Sequence, residues 1–476
     1  MHENGRYVKL EYRGTGTASI VPGVTRLGVA AVAASALLAG SLALAGRARA
    51  EGVPSSAGAT DAALVVAPDG SPRVAFAAAD GSLVVSARAA DGTWSDQTLP
   101  PLPGARALVV GLAVAPGGNA VVLAEDPGAH WLALAEQSAA GWRVRTVATA
   151  PKGGLLGFGG LALDHAGSPL VAYVYELKSH QSWLRLVHED AKGRLVGERV
   201  TRSGFPSSDA LPAAAPVVMP SGAVRVVEAY DSATVEWSRT KNKKDWIGQF
   251  VYGTAIGSPA GVVKAAAGAT GGVWSAWTEL FPSFNESELV LAKHLNGETS
   301  TVLANHAFLV ALALPASGPE VAGDDYVDLG TRTAYAGLVA DSAGNTIELA
   351  GDLMGYDVDP AGGRQYLLAE PDGLDWFRAA VPPTTHVALA VGVQGASFAL
   401  TGTVYQQSGA PVAGTVQIWR ETGDGSELLT TVPLAADGTF SVTDLPPVRP
   451  LVYRAVYVDP ASGVPLASLY RTVLGS

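Results

Sequence analysis

Three Asp-Gly pairs, at Asp69, Asp80 and Asp91, stand eleven residues apart, and the segments between them are short and apolar. Asp-Gly between such segments marks a tight hairpin, because glycine takes the positive φ that the turn demands. The segments Ala63–Ala67, Arg73–Ala77, Leu83–Arg88 and Trp94–Leu99 therefore read as four strands joined by three hairpins. A lone four-stranded meander leaves an apolar face in water, so it requires neighbours of its own kind.

The chain supplies them. The third strand recurs as Leu83-Val84-Val85, Trp131-Leu132-Ala133-Leu134, Trp183-Leu184-Arg185-Leu186, Val235-Glu236-Trp237 and Leu289-Val290-Leu291. The first turn recurs at Pro68-Asp69-Gly70, Pro116-Gly117-Gly118, His165-Ala166-Gly167, Pro220-Ser221-Gly222 and Thr270-Gly271-Gly272. A tryptophan is expected to open the fourth strand at Trp94, Trp142, Trp246 and Trp376. The period, about 48 to 55 residues, carries alternating or briefly apolar runs rather than the three-and-four spacing of helical repeats. Four short strands per repeat are what radial packing of blades needs. The expected fold class is all-β: a β-propeller of six four-stranded blades, with five to seven compatible, over residues 61–390. Residues 301–390 match poorly; degenerate blades are expected around Leu309–Val321 and Ala336–Ala350.

The run Leu161-Ala162-Leu163-Asp164-His165-Ala166-Gly167-Ser168-Pro169-Leu170-Val171-Ala172-Tyr173 resembles the repeat of bacterial secreted propellers of the sialidase-like group, as does the first repeat ending Asp91-Gly92-Thr93-Trp94. The resemblance implies a propeller with ligands on one face. It does not carry over the enzymes' chemistry. Full Ser-x-Asp-x-Gly-x-x-Trp turns are missing, and Arg106 and Arg202 find no third member for an arginine triad.

From Phe398 the pattern changes to Leu400–Tyr405, Gly409–Ile418 and Ala436–Val442, with turns at Gly409-Ala410-Pro411-Val412 and Asp437-Gly438. This series resembles the carboxypeptidase-regulatory-like, immunoglobulin-like sandwiches appended to exported bacterial proteins. It implies a non-catalytic seven-stranded spacer over 398–476. The join near Val381–Ser397, with Pro382-Pro383, reads as a stiff linker.

Leu27–Ala45 is an apolar run behind Arg26, ending in the small-x-small site Ala48-Arg49-Ala50. Residues 1–50 thus read as a secretory signal cleaved after Ala50, with an uncleaved anchor as the competing reading. Residues 51–60 read as a flexible linker, and the mature protein as a secreted or cell-surface monomer. Cysteine is absent, which excludes disulfides, thiolate zinc sites and a thiol nucleophile. Residues 1–50 hold six of the 32 Lys/Arg and two of the 43 Asp/Glu, so the remainder carries 26 basic and 41 acidic side chains, formally −15. That charge disfavours nucleic acid and anionic membrane surfaces as partners.

No nucleophile elbow, His-Glu-x-x-His or phosphate loop occurs. Gly157-Phe158-Gly159-Gly160 reads as a blade connector, and Asp324-Asp325-Tyr326-Val327-Asp328 as a solvated acidic turn rather than a calcium loop. No catalytic residue, metal or cofactor is assigned. Two connections between second and third strands exceed the shortest workable turn, Tyr175–Gln181 and Glu279–Glu286. Elongation there suggests a binding surface. Tyr175, Tyr230, Phe281 and Phe284 would stack on a sugar ring, beside Glu176, Glu279, Glu286 and Asp231, with Lys178 and His180 adjoining. The expected function is non-enzymatic binding of a glycan or extracellular protein. The alternative is a carbohydrate-active hydrolase or lyase working through a carboxylate pair.

Overall fold

A computed structural model describes residues 51–471 except 60, 104–106, 127–129, 180, 204–211, 231–232, 241–244, 254–257, 270, 282–285, 296, 306, 329–332, 343–344, 371, 380–383, 395–396, 423–424, 446–451, 459 and 461–463. The expected signal lies outside these residues. No described helix is long and apolar enough to cross a membrane.

Every described element is a strand or its connection. Seven blades follow one another, spanning 62–98, 108–149, 155–203, 213–253, 258–305, 307–349 and 352–379. Each of the first six is an up-and-down sheet whose first strand lies innermost, and neighbouring first strands pack around the axis. The glycines of the first turns take the positive φ expected of them, for example 84° at Gly70 and Gly118 and 86° at Gly167.

The seventh blade differs. Its strands Asp352–Val358, Arg364–Glu370 and Gly373–Ala379 supply three places, and the fourth is filled by Glu51–Val53 from the other end of the sequence. Glu51 pairs with Trp376, Gly52 with Asp375 and Val53 with Leu374. Residues 51–53 are therefore a structural strand, not part of a linker. Trp376 sits in a third strand, because Glu51–Val53 takes the fourth place beside it and the next described strand, Thr385–Gln394, pairs in another sheet. The segments 309–321 and 336–350, expected to hold one or two degenerate blades, are the two halves of blade six, and with blade seven the described count is seven, the upper end of the expected range.

The core is a stack of apolar seams between blades, such as Val122, Ala124, Ala133 and Val85 between blades one and two. Small residues let the inner strands approach. A Cβ on Gly355 in blade seven would lie 2.6 Å from the Leu64 Cβ and 2.9 Å from the Leu64 nitrogen in blade one.

A second pattern closes the seams. The first strand of a blade has backbone N–H groups facing its neighbour, and a group on the preceding blade accepts one of them. Asp61 accepts from Val109, Glu125 from Gly159, Thr278 Oγ1 from Leu309 (2.8 Å), Asp324 Oδ1 from Leu353 (3.2 Å) and Asp357 Oδ2 from Val66 (2.7 Å). Between blades three and four the backbone of Phe158 exchanges bonds with Pro212 and Ala214. Gly157–Gly160 is thus not a connection between blades: it lies within blade three, between Leu155–Leu156 and Gly160–Leu163, which both pair with the strand Pro169–Glu176. The solvated-turn reading of 324–328 is likewise overturned: those residues lie in the strand Glu320–Asp328, and Asp324 is buried because it holds the next blade.

Seven further strands form a two-layered sandwich. One layer is Thr385–Gln394, Ser397–Gln406 and Thr439–Asp444, and the other is Pro465–Arg471, Val452–Val458, Thr415–Thr422 and Gly425–Pro433. The expected linker thus contains the sandwich's first strand; Pro382-Pro383 lies outside the described residues. The second layer continues the sheet of blade six through the pair Leu349–Leu466, with Ala350 N–H donating to the Pro465 carbonyl at 2.9 Å. Leu349, Leu353, Leu368, Phe377, Val464 and Leu466 share one apolar cluster across the junction.

Closure through Glu51–Val53 has a measurable consequence. Val53 is 4% exposed, and burial of a valine contributes about 1.5–3 kcal/mol. A form beginning at residue 55 is expected to be less stable than one beginning at 51 by more than about 2 kcal/mol in denaturant unfolding; equal midpoints would remove the closing role.

Candidate functional site: a cleft at the closing seam

One face of the propeller carries the connections between blades and the loops between second and third strands; the opposite face carries the first and third turns. On this second face a cleft of about 670 Å³ opens where blade seven meets blade one. Its walls are the turns Ala67–Ser71 and Asp359–Gly363, and Arg73, Arg88, Trp376 and Arg378 line it.

Strand pairing places these groups. Trp376 forms part of the floor, with its indole N–H donating to Gln365 Oε1 (3.0 Å) and Trp94 edge-on at 6.1 Å. The Arg88 guanidinium covers the Trp376 ring, 4.9 Å from its centroid. Its Nε and Nη2 donate to the two carboxylate oxygens of Glu51, both at 2.6 Å. That hydrogen bonding holds Arg88 above the usual guanidinium range.

Arg378 donates from Nε (2.9 Å) and Nη2 (2.6 Å) to Asp359 Oδ2, while Asp359 Oδ1 accepts from the N–H groups of Ala361 and Gly363. Burial raises the Asp359 pKa, but Arg378 and these backbone donors outweigh it and hold the carboxyl below the ordinary range. Asp69 is held down chiefly by the Ser71 hydroxyl.

Arg73 is placed differently. Its Nη1 donates to Ser71 Oγ (2.8 Å), to the Pro72 carbonyl (3.1 Å) and, more weakly, to the Arg88 carbonyl (3.4 Å). Among the described residues its Nε and Nη2 have no hydrogen-bond partner, although the Asp69 carboxylate is near enough to interact with it electrostatically.

Of the residues selected from sequence, the five whose side chains are described lie away from this cleft, Tyr175, Glu176 and Lys178 in blade three, Tyr230 in blade four and Glu279 in blade five. Tyr175 is half-buried in the cluster between blades two and three, with Arg185 over its ring at 5.6 Å. Glu279 is fully buried and accepts the Trp277 indole N–H at 3.0 Å, between blades four and five. Glu176 pairs with Leu155 and Ser182 at a strand end, and Tyr230 is half-buried. Lys178 is exposed and lies against Gly153. Phe281 and Glu286 pair through their backbones, with their side chains outside the described residues, as are His180, Asp231 and Phe284.

The apparent loop length became longer strands, Pro169–Glu176 and Val273–Phe281, and that is why Tyr175 and Glu279 are spent on packing. Arg73 and Trp376 were missed because only ring closure makes blades one and seven neighbours. The signal available was the repeated position of arginine at strand ends beside the turns, as at Arg73, Arg88, Arg364 and Arg378.

Two other constellations have a catalytic appearance. Ser275 Oγ lies 2.7 Å from His294 Nε2, and His294 Nδ1 lies 2.7 Å from Glu236 Oε2, the connectivity of a Ser–His–acid relay. Ser275 is 0% exposed and the His294 side chain 2%, so no substrate reaches the hydroxyl. The relay binds blade four to blade five, with Arg225 pairing the same glutamate.

On the opposite face, burial drives the Glu125 carboxyl up to about 8, with Asp61 adding to the push. Lys264 of blade five reaches over to the Val110 carbonyl of blade two (3.3 Å) beside it. Both carboxyls already accept a neighbouring blade's N–H, so they read as latches. No group of metal-ligating side chains occurs among the described residues.

Glu125 gives a pH signature. A folded pKa raised from 4.5 to about 8 means that the folded chain keeps a proton the unfolded chain has lost. Its contribution is intact below about pH 4.5, declines as pH rises, and levels off above about pH 8. Glu125→Gln should flatten that decline, gaining more than about 1 kcal/mol over wild type at pH 8 in denaturant unfolding. A parallel loss in both proteins would show that Glu125 is ionised in the fold.

No family model and no curated protein sequence matches the chain. Among solved structures it is similar to a mutant puromycin hydrolase complexed with PGG, at 13% identity and a TM-score of 0.45, covering 74% of this chain. The match spans 59% of the hydrolase's own length. It is also similar to oligogalacturonate lyase from Vibrio parahaemolyticus, at 11% identity and a TM-score of 0.43 over 65% of this chain and 87% of that one. A third similarity is to a mutant Aleuria aurantia lectin in complex with Fucalpha1-6GlcNAc, at 13% identity and a TM-score of 0.36 over 70% and 97% of the two chains.

Proposed function

We propose that this is an exported, non-enzymatic binding protein that presents a saccharide site at the closing seam of its propeller. The sandwich, which we read as immunoglobulin-like, is its rigid arm. The reading rests on one observation: the cleft between blades one and seven is open, its largely apolar lining carries a few placed polar side chains, and among them the Arg73 guanidinium keeps Nε and Nη2 without hydrogen-bond partners among the described residues. Sites of this size that converge a few placed polar groups are where ligands bind. The connection face offers weaker support, since Tyr175 and Glu279 are committed to packing there.

Export is supported by the apolar run ahead of Ala48-Arg49-Ala50. Cleavage after Ala50 would leave Glu51, the first residue of the closing strand, as the new N-terminus.

A glycan array probed with residues 51–476 tests the binding reading. Arg73→Ala is expected to weaken the signal about tenfold or more, and Tyr175→Ala to lower stability while leaving binding intact. Silence on the array, together with no surface partner by crosslinking, overturns it. A hydrolase reading would have to use Glu125, whose carboxyl burial pushes up to about 8, with Asp61 beside it. It requires saccharide cleavage that Glu125→Gln abolishes.

A further inference from the structure

We propose that the seam cleft selects acidic saccharides, seating an oxyanion (a uronate carboxylate or a sulfate ester) on Arg73. This rests on the saccharide-binding reading above and names its ligand class.

Neutral sugars are held by an open aromatic face and by many acceptors for their hydroxyls. This cleft offers neither. The Trp376 ring is capped by Arg88 at 4.9 Å, so no sugar ring can lie on that face. Of the side-chain acceptors lining it, Asp359 is saturated by Arg378 and two N–H groups. Asp69 has one oxygen taken by Ser71. Beyond the second oxygen of Asp69, spare capacity lies with the donors.

The same seam shows twice what its guanidiniums hold. Arg88 takes the Glu51 carboxylate through two bonds of 2.6 Å, and Arg378 takes Asp359 through bonds of 2.9 and 2.6 Å. Arg73 is the third guanidinium, steered by Ser71 and Pro72 so that Nη1 is used while Nε and Nη2 remain. An Nε–Nη2 edge matches two oxygens of a carboxylate or sulfate in parallel hydrogen bonds. The surrounding chain is acidic, so a dense polyanion would be repelled at long range. The fitting ligand carries an isolated or terminal acid group on an otherwise neutral chain.

Calorimetric titration of residues 51–476 separates the possibilities. The probes are three short galactan oligosaccharides of equal length: neutral, one with a terminal uronate, and one with a terminal sulfate. Wild type is expected to bind at least one acidic form about tenfold or more tighter than the neutral one. Which of the two it is identifies the source of the oxyanion.

Arg73→Gln, which keeps a polar side chain with N–H donors but not the charge, should erase that preference, and Arg73→Lys should keep part of it. Lys178→Ala, on the other face, should change nothing. Circular dichroism establishes that each variant is folded. Equal affinity for neutral and acidic forms overturns the acid assignment and leaves saccharide binding standing. Silence of the folded protein toward all three overturns both.

Discussion

Everything in this molecule depends on how a ring of sheets closes. Seven blades stacked side by side leave one open apolar seam unless the last meets the first, and an apolar seam in water costs more than a short strand can lose in entropy. The chain resolves this by lending three residues from its beginning, Glu51–Val53, to the blade formed near residue 379. The pairing brings two distant stretches of sequence into one sheet. Because the Glu51 side chain points to Arg88 and Trp94 of blade one, the same three residues also tie the seam from outside.

That arrangement explains how polar groups are used elsewhere. An apolar seam between twisted sheets leaves backbone donors of the inner strands without partners, and a buried unpaired N–H is costly. Asp61, Glu125, Thr278, Asp324 and Asp357 supply acceptors at five of the seams, all but those between blades three and four and between four and five. Ion pairs bridge the boundaries between blades two and three, three and four, four and five, and six and seven: Arg145–Glu189, Arg239–Glu198, His294–Glu236 and Arg364–Glu320. Buried acids and a serine–histidine contact are therefore the ordinary fabric of this ring. What separates the closing cleft from them is solvent access and unspent donors.

The local rules were legible in the sequence. Asp-Gly turns, the recurring third strand and the tryptophans at 94, 142 and 246 all sit where their chemistry puts them, since each depends on neighbours a few residues away. The sandwich motif series was equally readable, apart from its first strand at Thr385–Gln394. What could not be read was set by distance. Blade seven lacks a fourth strand in its own stretch of chain, so Trp376 was given the wrong place and 51–60 looked like a tether. Two of the candidate site residues are placed differently from their sequence reading for a related reason. Tyr175 and Glu279 look like loop residues until pairing with Trp183 and Glu288 extends their strands. Arg73 and Arg378, about 300 positions apart, become neighbours only once the circle is drawn.

The junction at Leu349–Leu466 bears on how the protein would carry tension. A single residue pair joins the two halves of an eight-stranded sheet, yet Phe377, Leu368 and Val464 pack around it. A pull on the sandwich would therefore be shared by blades six and seven through side-chain packing instead of unzipping one ladder. Torque from the arm would arrive at the blade that holds Trp376. The arm is a lever whose fulcrum is the neighbour of the closing seam.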